Sequence, residues 1–197
     1  MNKKYIQTGR TQQKLETRGK ILSSAQHFLN KGLNFNLEDI AKESGISRAT
    51  IYRYFSNVDI LAAEAALDFS TESPESIYED IKDLNVAQRV QSIQEYYNTL
   101  AIDHEKLFRK YISTVLDAST STPKRGARRK KTLNLALQNS NLTIKEKEDL
   151  SNLLTILMGI EPLIVTKDVC GLSNDESKRL MSWGVSLLLK GFQASKN

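Results

Sequence analysis

Between Thr11 and Lys31 the apolar residues fall at Leu15, Ile21, Leu22, Ala25, Phe28 and Leu29. From Ile21 onward they follow the three-and-four spacing of one helical face, which predicts an amphipathic helix. Lys31 in the last turn and Gly32 just beyond it are stop signals. A second, short helix is expected from Asn36, whose side chain can cap it, with Asp39 in the first turn where the helix dipole favours an anion. Gly45 ends it. A third helix is expected from Ser47 to about Phe55, and a fourth from Asn57 through Leu67.

The same periodicity continues to the C-terminus, without a convincing alternation of period two. Val86, Val90, Ile93, Tyr97 and Leu100 make one stripe, and Leu107, Phe108, Ile112, Val115 and Leu116 another. A break around Pro123 precedes a helix carrying Leu133, Leu135 and Leu137. Thr143 with Glu146, and Ser173 with Glu176, are capping-box signatures. Gly171 closes the helix after Thr143, and Pro162 is expected to kink it. The fold class is therefore all-α: an N-terminal three-helix helix-turn-helix domain followed by a larger helical domain. The expected divisions are a basic tail over 1–14, a helix-turn-helix domain over 15–57, a fourth helix over about 57–70 as connector, and a larger helical domain over 71–197.

The helix-turn-helix reading rests on spacing. Ala41 is small where a second helix crosses, Gly45 four residues on permits a sharp turn, and Ile51 ten residues on anchors the third helix to the second. At about 100° per residue, Ile51 and Phe55 mark the buried side of the third helix. Ala49, Thr50, Tyr52 and Arg53 lie opposite, with Arg48 and Tyr54 on the flanks. Arginine can take guanine bidentately, threonine can meet a thymine methyl or a phosphate, and a tyrosine hydroxyl can donate to phosphate.

Charge sharpens this picture. The chain has 28 Lys and Arg against 23 Asp and Glu, a net +5. Ten of the basic and five of the acidic residues fall within 1–60, leaving 18 of each in the remainder. A basic end joined to a neutral one points to a polyanion partner at that end. The basic cluster Lys124 to Lys131 reads instead as a solvated loop and helix start. One cysteine, Cys170, excludes an internal disulfide framework and suits a reducing, cytoplasmic setting. The apolar run Leu153 to Val165 is interrupted by Glu161 and Pro162 and is shorter than the roughly 20 residues a bilayer span needs, so no membrane is expected. His27 and His104 are the two histidines, too few with one thiol for a metal-ligand cluster. No nucleophile elbow or phosphate-binding glycine loop is present, so neither an enzyme nor a cofactor is expected.

The stretch Thr17 to Ala66, "TRGKILSSAQHFLNKGLNFNLEDIAKESGISRATIYRYFSNVDILAAEAA", strongly resembles the DNA-binding domain of TetR-family transcriptional regulators. The likeness is carried by Arg18, Ile21, Leu22, Ala25, Phe28, Gly32, the Asp-Ile-Ala of residues 39–41, Gly45-Ile46-Ser47 and, most closely, Thr50 to Phe55. It implies that Ser47, Arg48, Ala49, Thr50, Tyr52, Arg53 and Tyr54 face DNA. It also implies that Arg18, Asn36, Leu37 and Glu38 approach phosphates or an edge base. Glu38 reads as a first-turn anion rather than an acceptor for a cytosine amine. Two departures stand out: Asn36 where relatives often have threonine, and Val58 where they often keep lysine. Arg53 or the tail residues Lys3, Lys4, Arg10 and Lys14 are then expected to compensate for the missing phosphate contact.

A single helix-turn-helix covers one half-site, so a homodimer on double-stranded operator DNA is expected. The last helix carries apolar residues over more than one face. The expected interface is Leu154, Met158, Leu180, Trp183, Gly184, Leu187, Leu188 and Gly191. The resemblance further implies an effector pocket in the C-terminal domain, for which Tyr96, Tyr97, Phe108, Tyr111, Met158, Glu161 and Trp183 are the candidates. The implied function is a repressor released from its operator by a small-molecule effector. The alternative is a dimeric DNA-binding protein without such an effector, controlled by a protein partner or acting in chromosome organisation.

Overall fold

The structure, a computed structural model, describes residues 3–117 and 127–194. Among them are eleven helices and no strand. In chain order these are α1 (Lys3–Asn30), α2 (Leu37–Ser44), α3 (Arg48–Tyr54), α4 (Val58–Ser70), α5 (Pro74–Ile81), α6 (Val86–Asp103), α7 (Glu105–Asp117), α8 (Arg128–Leu137), α9 (Ile144–Ile156), α10 (Ile160–Asp168) and α11 (Asn174–Ala194). No single helix among the described residues is long and apolar enough to cross a membrane.

The chain divides into two units, Met1–Thr71 with Arg109–Arg125, and Glu72–Phe108 with Gly126–Asn197. One boundary falls inside α7, whose residues 109–117 group with the first unit. The residues expected to form a tail also differ, since α1 begins at Lys3 rather than near Leu15. The side chains of Lys3, Lys4 and Arg10, and the expected break around Pro123, lie outside the described set.

The first unit is built around one small core. Ile21, Leu22 and Ala25 of α1 meet Leu37 and Ile40 of α2, Ile51 of α3, Phe55, and Ile60, Leu61 and Ala65 of α4. Each fully buried side chain of this size contributes about 1.5–3 kcal/mol. Local chemistry sets the element ends. Asn36 accepts from the Asp39 N–H at 3.0 Å while the Asp39 carboxylate accepts from the Asn36 N–H at 3.0 Å, a reciprocal cap. Ser47 caps α3 and Asn57 caps α4. Gly45 holds φ at 67°, the left-handed geometry that lets α2 turn sharply into α3; a side chain there would be strained.

The second unit has its own core. Ile77 and Ile81 of α5, Val90, Ile93 and Tyr97 of α6, and Leu133, Ala136 and Leu137 of α8 pack with Leu150 and Leu154 of α9, Met158, and Val185 and Leu189 of α11. Both predicted capping boxes form, Thr143 with Glu146 and Ser173 with Glu176. The expected proline kink does not. Pro162 sits in the first turn of α10, where no backbone N–H is needed, so its ring is accommodated. The break lies earlier, at Leu157–Gly159, and turns α9 from α10 by 43°. Gly159 has φ 84° and ψ −156°, a conformation open essentially to glycine alone. Side chains from other helices satisfy the polar groups freed there. Asn98 accepts from the Gly159 N–H at 2.8 Å, and Gln94 donates to the carbonyls of Leu157 at 2.8 Å and Met181 at 2.9 Å. Arg129 donates to the Met158 carbonyl and to Glu161 at 2.9 Å.

Candidate nucleic-acid interface

Helix α3 is only seven residues long, too short to be stable without packing and caps. Ser47 Oγ accepts from the Thr50 N–H at 3.3 Å and donates to Thr50 Oγ1 at 3.0 Å. At the other end the Phe55 N–H donates to the Ile51 carbonyl at 2.9 Å. Ile51 and Phe55 are fully buried and hold the helix to the core. The remaining face has no such duty: Arg48, Ala49, Tyr52 and Arg53 are exposed, and Thr50 and Tyr54 are half-buried. The Arg53 guanidinium lies over the Tyr54 ring, 5.8 Å from its centroid. Of the recognition-helix residues named from sequence, Arg48, Ala49, Tyr52 and Arg53 are thus exposed, with two guanidinium groups among them, while Tyr54 packs against the core.

Tyr52 is half exposed, and its hydroxyl donates to Glu38 Oε1 at 3.1 Å, linking α3 to the first turn of α2. This bond, then the Glu38 charge, raises the Tyr52 hydroxyl above its ordinary pKa, while Arg48 pulls the other way. Glu38 is thus more than a first-turn anion. With its proton engaged by Glu38, Tyr52 is not in this geometry the phosphate donor that its residue type suggests.

Three other expected contacts are placed differently. Arg18 makes hydrogen bonds to both carboxylate oxygens of Glu64 on α4 and lies over the Phe55 ring at 4.8 Å. The two side chains are only 17% and 14% exposed. Arg18 is therefore a pin between α1 and α4, and its guanidinium is not presented to a phosphate. Glu64 lies 46 residues away and no local pattern announces it. Leu37 is 5% exposed and belongs to the core, so it presents no surface to DNA. Asn36 is exposed, but its side-chain oxygen is engaged by the cap. Val58, in the place of the expected lysine, packs half-buried against the core.

The candidate effector residues stand in different surroundings. Tyr97 and Met158 are core residues, and Tyr97 Oη is 2.9 Å from Thr132 Oγ1. Burial pushes the Tyr97 hydroxyl up to about 12, with the Thr132 bond opposing. Tyr96 packs edge-on to Tyr97 and accepts from the Glu72 N–H at 2.8 Å. Glu161 pairs with Arg129. Phe108 lies in the second unit and Tyr111 in the first. Trp183 is 58% exposed on α11 and so stands outside any interior cavity.

The expected interface residues also separate. Leu154 and Met158 are fully buried within the unit and cannot meet a partner. Trp183, Leu187 and Gly191 are exposed, and Leu180, Gly184 and Leu188 are half-buried. The sequence reading omitted Leu153, Ile156 and Val165, which are large, apolar and exposed on α9 and α10. A groove of about 380 Å³ runs between α9 and α11, lined by Leu150, Leu153, Leu188 and Phe192 with Glu146, Asp149 and Gly191.

Residues 21–65 match the sequence profile described as "Bacterial regulatory proteins, tetR family". No curated protein matches the chain. The profile covers α1 from Ile21 through most of α4, the residues that build the first core and set α3 on its surface. Residues 21–65 thus carry the helix-turn-helix DNA-binding domain of the tetR family, which supports a TetR-type DNA-binding transcriptional regulator.

Proposed function

We propose that the chain is a homodimeric repressor that binds double-stranded operator DNA through the exposed face of α3 and is released by a small-molecule effector taken up by the second unit. The observation that carries the DNA contact is the division of α3. Ile51 and Phe55 are buried, while Arg48 and Arg53 are exposed on a surface that the core does not use. A helix of this kind fits the major groove, where arginine reads guanine and hydroxyls meet phosphates. Support for the dimer comes from Leu153, Ile156, Val165, Trp183 and Leu187, five large apolar residues exposed on α9, α10 and α11. A stable interface buries about 800 Å² per partner, and these helices offer the apolar residues for its centre. The effector step is supported by the division of the chain. The second unit has a core of its own and none of the DNA-facing residues, which leaves it free for regulation.

The reading is tested with the full chain and an operator duplex recovered by selection, followed by fluorescence anisotropy. Affinity is expected to fall steeply with salt. Arg48→Ala and Arg53→Ala should each weaken binding about tenfold or more, in line with the loss of one good base contact, while the dimer persists. Unchanged affinity in both variants would remove α3 from the interface. A compound that binds saturably and lowers operator affinity would establish the effector. An operator affinity unmoved across a broad metabolite screen would favour the dimer without an effector.

A further inference from the structure

We infer that Glu38, held by the Tyr52 hydroxyl, selects a cytosine in the major groove at one position of each half-site. This rests on the proposed DNA contact through α3 and assigns one element of its specificity. Glu38 is half-buried in the first turn of α2, on the side that meets α3, and its carboxylate accepts the Tyr52 proton at 3.1 Å. Tyr52 is an exposed residue of α3, as are its neighbours Arg48 and Arg53. The pair therefore places a carboxylate beside a surface otherwise equipped with cations.

An ionised carboxylate only accepts hydrogen bonds, and so does a phosphate. Glu38 thus gains nothing from the DNA backbone and is repelled by it. Once its proton is given to Glu38, the Tyr52 oxygen also offers lone pairs only. Together the two residues make an acceptor-only patch, and of the groups that DNA presents in the major groove only a donor on a base edge can pair with it. The major groove provides two such donors, the N4 amine of cytosine and the N6 amine of adenine. Adenine presents the acceptor N7 beside its amine, and this would face the carboxylate with like polarity. Cytosine presents a C–H at that flank. The chemistry therefore favours cytosine. The Tyr52 bond fixes the direction of the carboxylate and leaves most of its lone-pair sites open.

The test is selection of bound sequences from a random duplex library by the full chain, followed by anisotropy on the preferred duplex and on its cytosine-to-thymine variant. That change replaces the amine donor with the O4 acceptor. The wild-type chain should enrich cytosine at one position per half-site and prefer it over thymine by at least about fivefold, the low end for a single base contact. Glu38→Ala should bring that ratio to about one and leave the preferences at other positions in place. Glu38→Gln adds an amide donor and should move the preference toward adenine, whose N6 and N7 a glutamine can meet together. Tyr52→Phe should narrow the ratio while cytosine stays the preferred base. Circular dichroism melts check that each variant is folded, and Glu38→Gln carries the test if the alanine variant is not. An unchanged consensus in Glu38→Ala overturns the inference. So does uniformly tighter binding of every sequence, which would make Glu38 a repelling anion and nothing more. A wild-type chain that enriches no sequence would instead sink the DNA contact on which the inference depends.

Discussion

Arg18 provides the sharpest test of what geometry adds to resemblance. Its guanidinium bonds both oxygens of Glu64 and lies over the Phe55 ring, with the two charged side chains 17% and 14% exposed. Removing one member of a fully buried pair costs about 3–5 kcal/mol, because the other charge is left uncompensated. The residual exposure places Glu64→Ala at the lower end, about 3 kcal/mol. At roughly 2–4 °C per kcal/mol for a chain of this size, the melting temperature should drop by about 6–12 °C. Arg18→Ala should do much the same. The double variant Arg18→Met with Glu64→Leu should recover most of the loss, since apolar replacement of a buried pair is often neutral. The assay is thermal melting by circular dichroism at 222 nm, paired with operator anisotropy at a temperature where every variant is folded. On the structural reading, the double variant binds operator as the wild type does. The reasoning is refuted if Glu64→Ala melts like the wild type while the folded Arg18→Met, Glu64→Leu protein loses operator affinity. Arg18 would then be a phosphate ligand.

Three further outcomes follow from the second unit. Gly159→Ala would put a Cβ 2.7 Å from Arg129 Nη1 at a φ of 84°; strain and a displaced guanidinium should cost about 2–4 kcal/mol, read from urea unfolding. The Tyr97 hydroxyl is raised from 10.0 to about 12 by burial, so the stability it confers is whole below pH 10 and is lost as pH rises toward 12. That loss is about 2–3 kcal/mol, and Tyr97→Phe should flatten the alkaline limb of the stability profile. Trp183→Asp should raise the dimer dissociation constant about 30-fold or more by sedimentation velocity, as for an interface anchor; an intact dimer would move the interface off α11.

The first unit was legible because its determinants are local. Asn36, Ser47 and Asn57 each cap the helix that follows, and Gly45 takes the left-handed turn that its spacing to Ala41 and Ile51 implies. The burial of Ile51 and Phe55 also follows from periodicity alone. Partners far apart in sequence were not legible. Nothing near Arg18 points to Glu64, and nothing near Tyr52 points to Glu38, fourteen residues back across the turn. Helix α5 had its signal in Ser73 followed by Pro74 at the first helical position, which the stripe-based reading passed over. Pro162 drew attention as a helix breaker, yet a proline in a first turn is harmless, and the unusual backbone lies at Gly159. Leu154 and Met158 have the same composition signal as Leu153 and Ile156. Only the packing shows which of the four face inward.

The corner between α9 and α10 has a mechanical consequence. Its freed amide and carbonyls are held by Asn98 and Gln94 of α6 and by Arg129 of α8, not by the corner's own chain. Gln94 also holds the Met181 carbonyl, so α11 is tied to the same knot. A shift of α6 or α8 must therefore either carry the corner along or leave buried polar groups unpaired, at about 1–3 kcal/mol for each. The 43° angle is accordingly a dependent variable of the unit, set by two neighbouring helices. Displacement of those helices is thereby coupled to the corner that sets Leu153 and Ile156 on α9 against Val165 on α10.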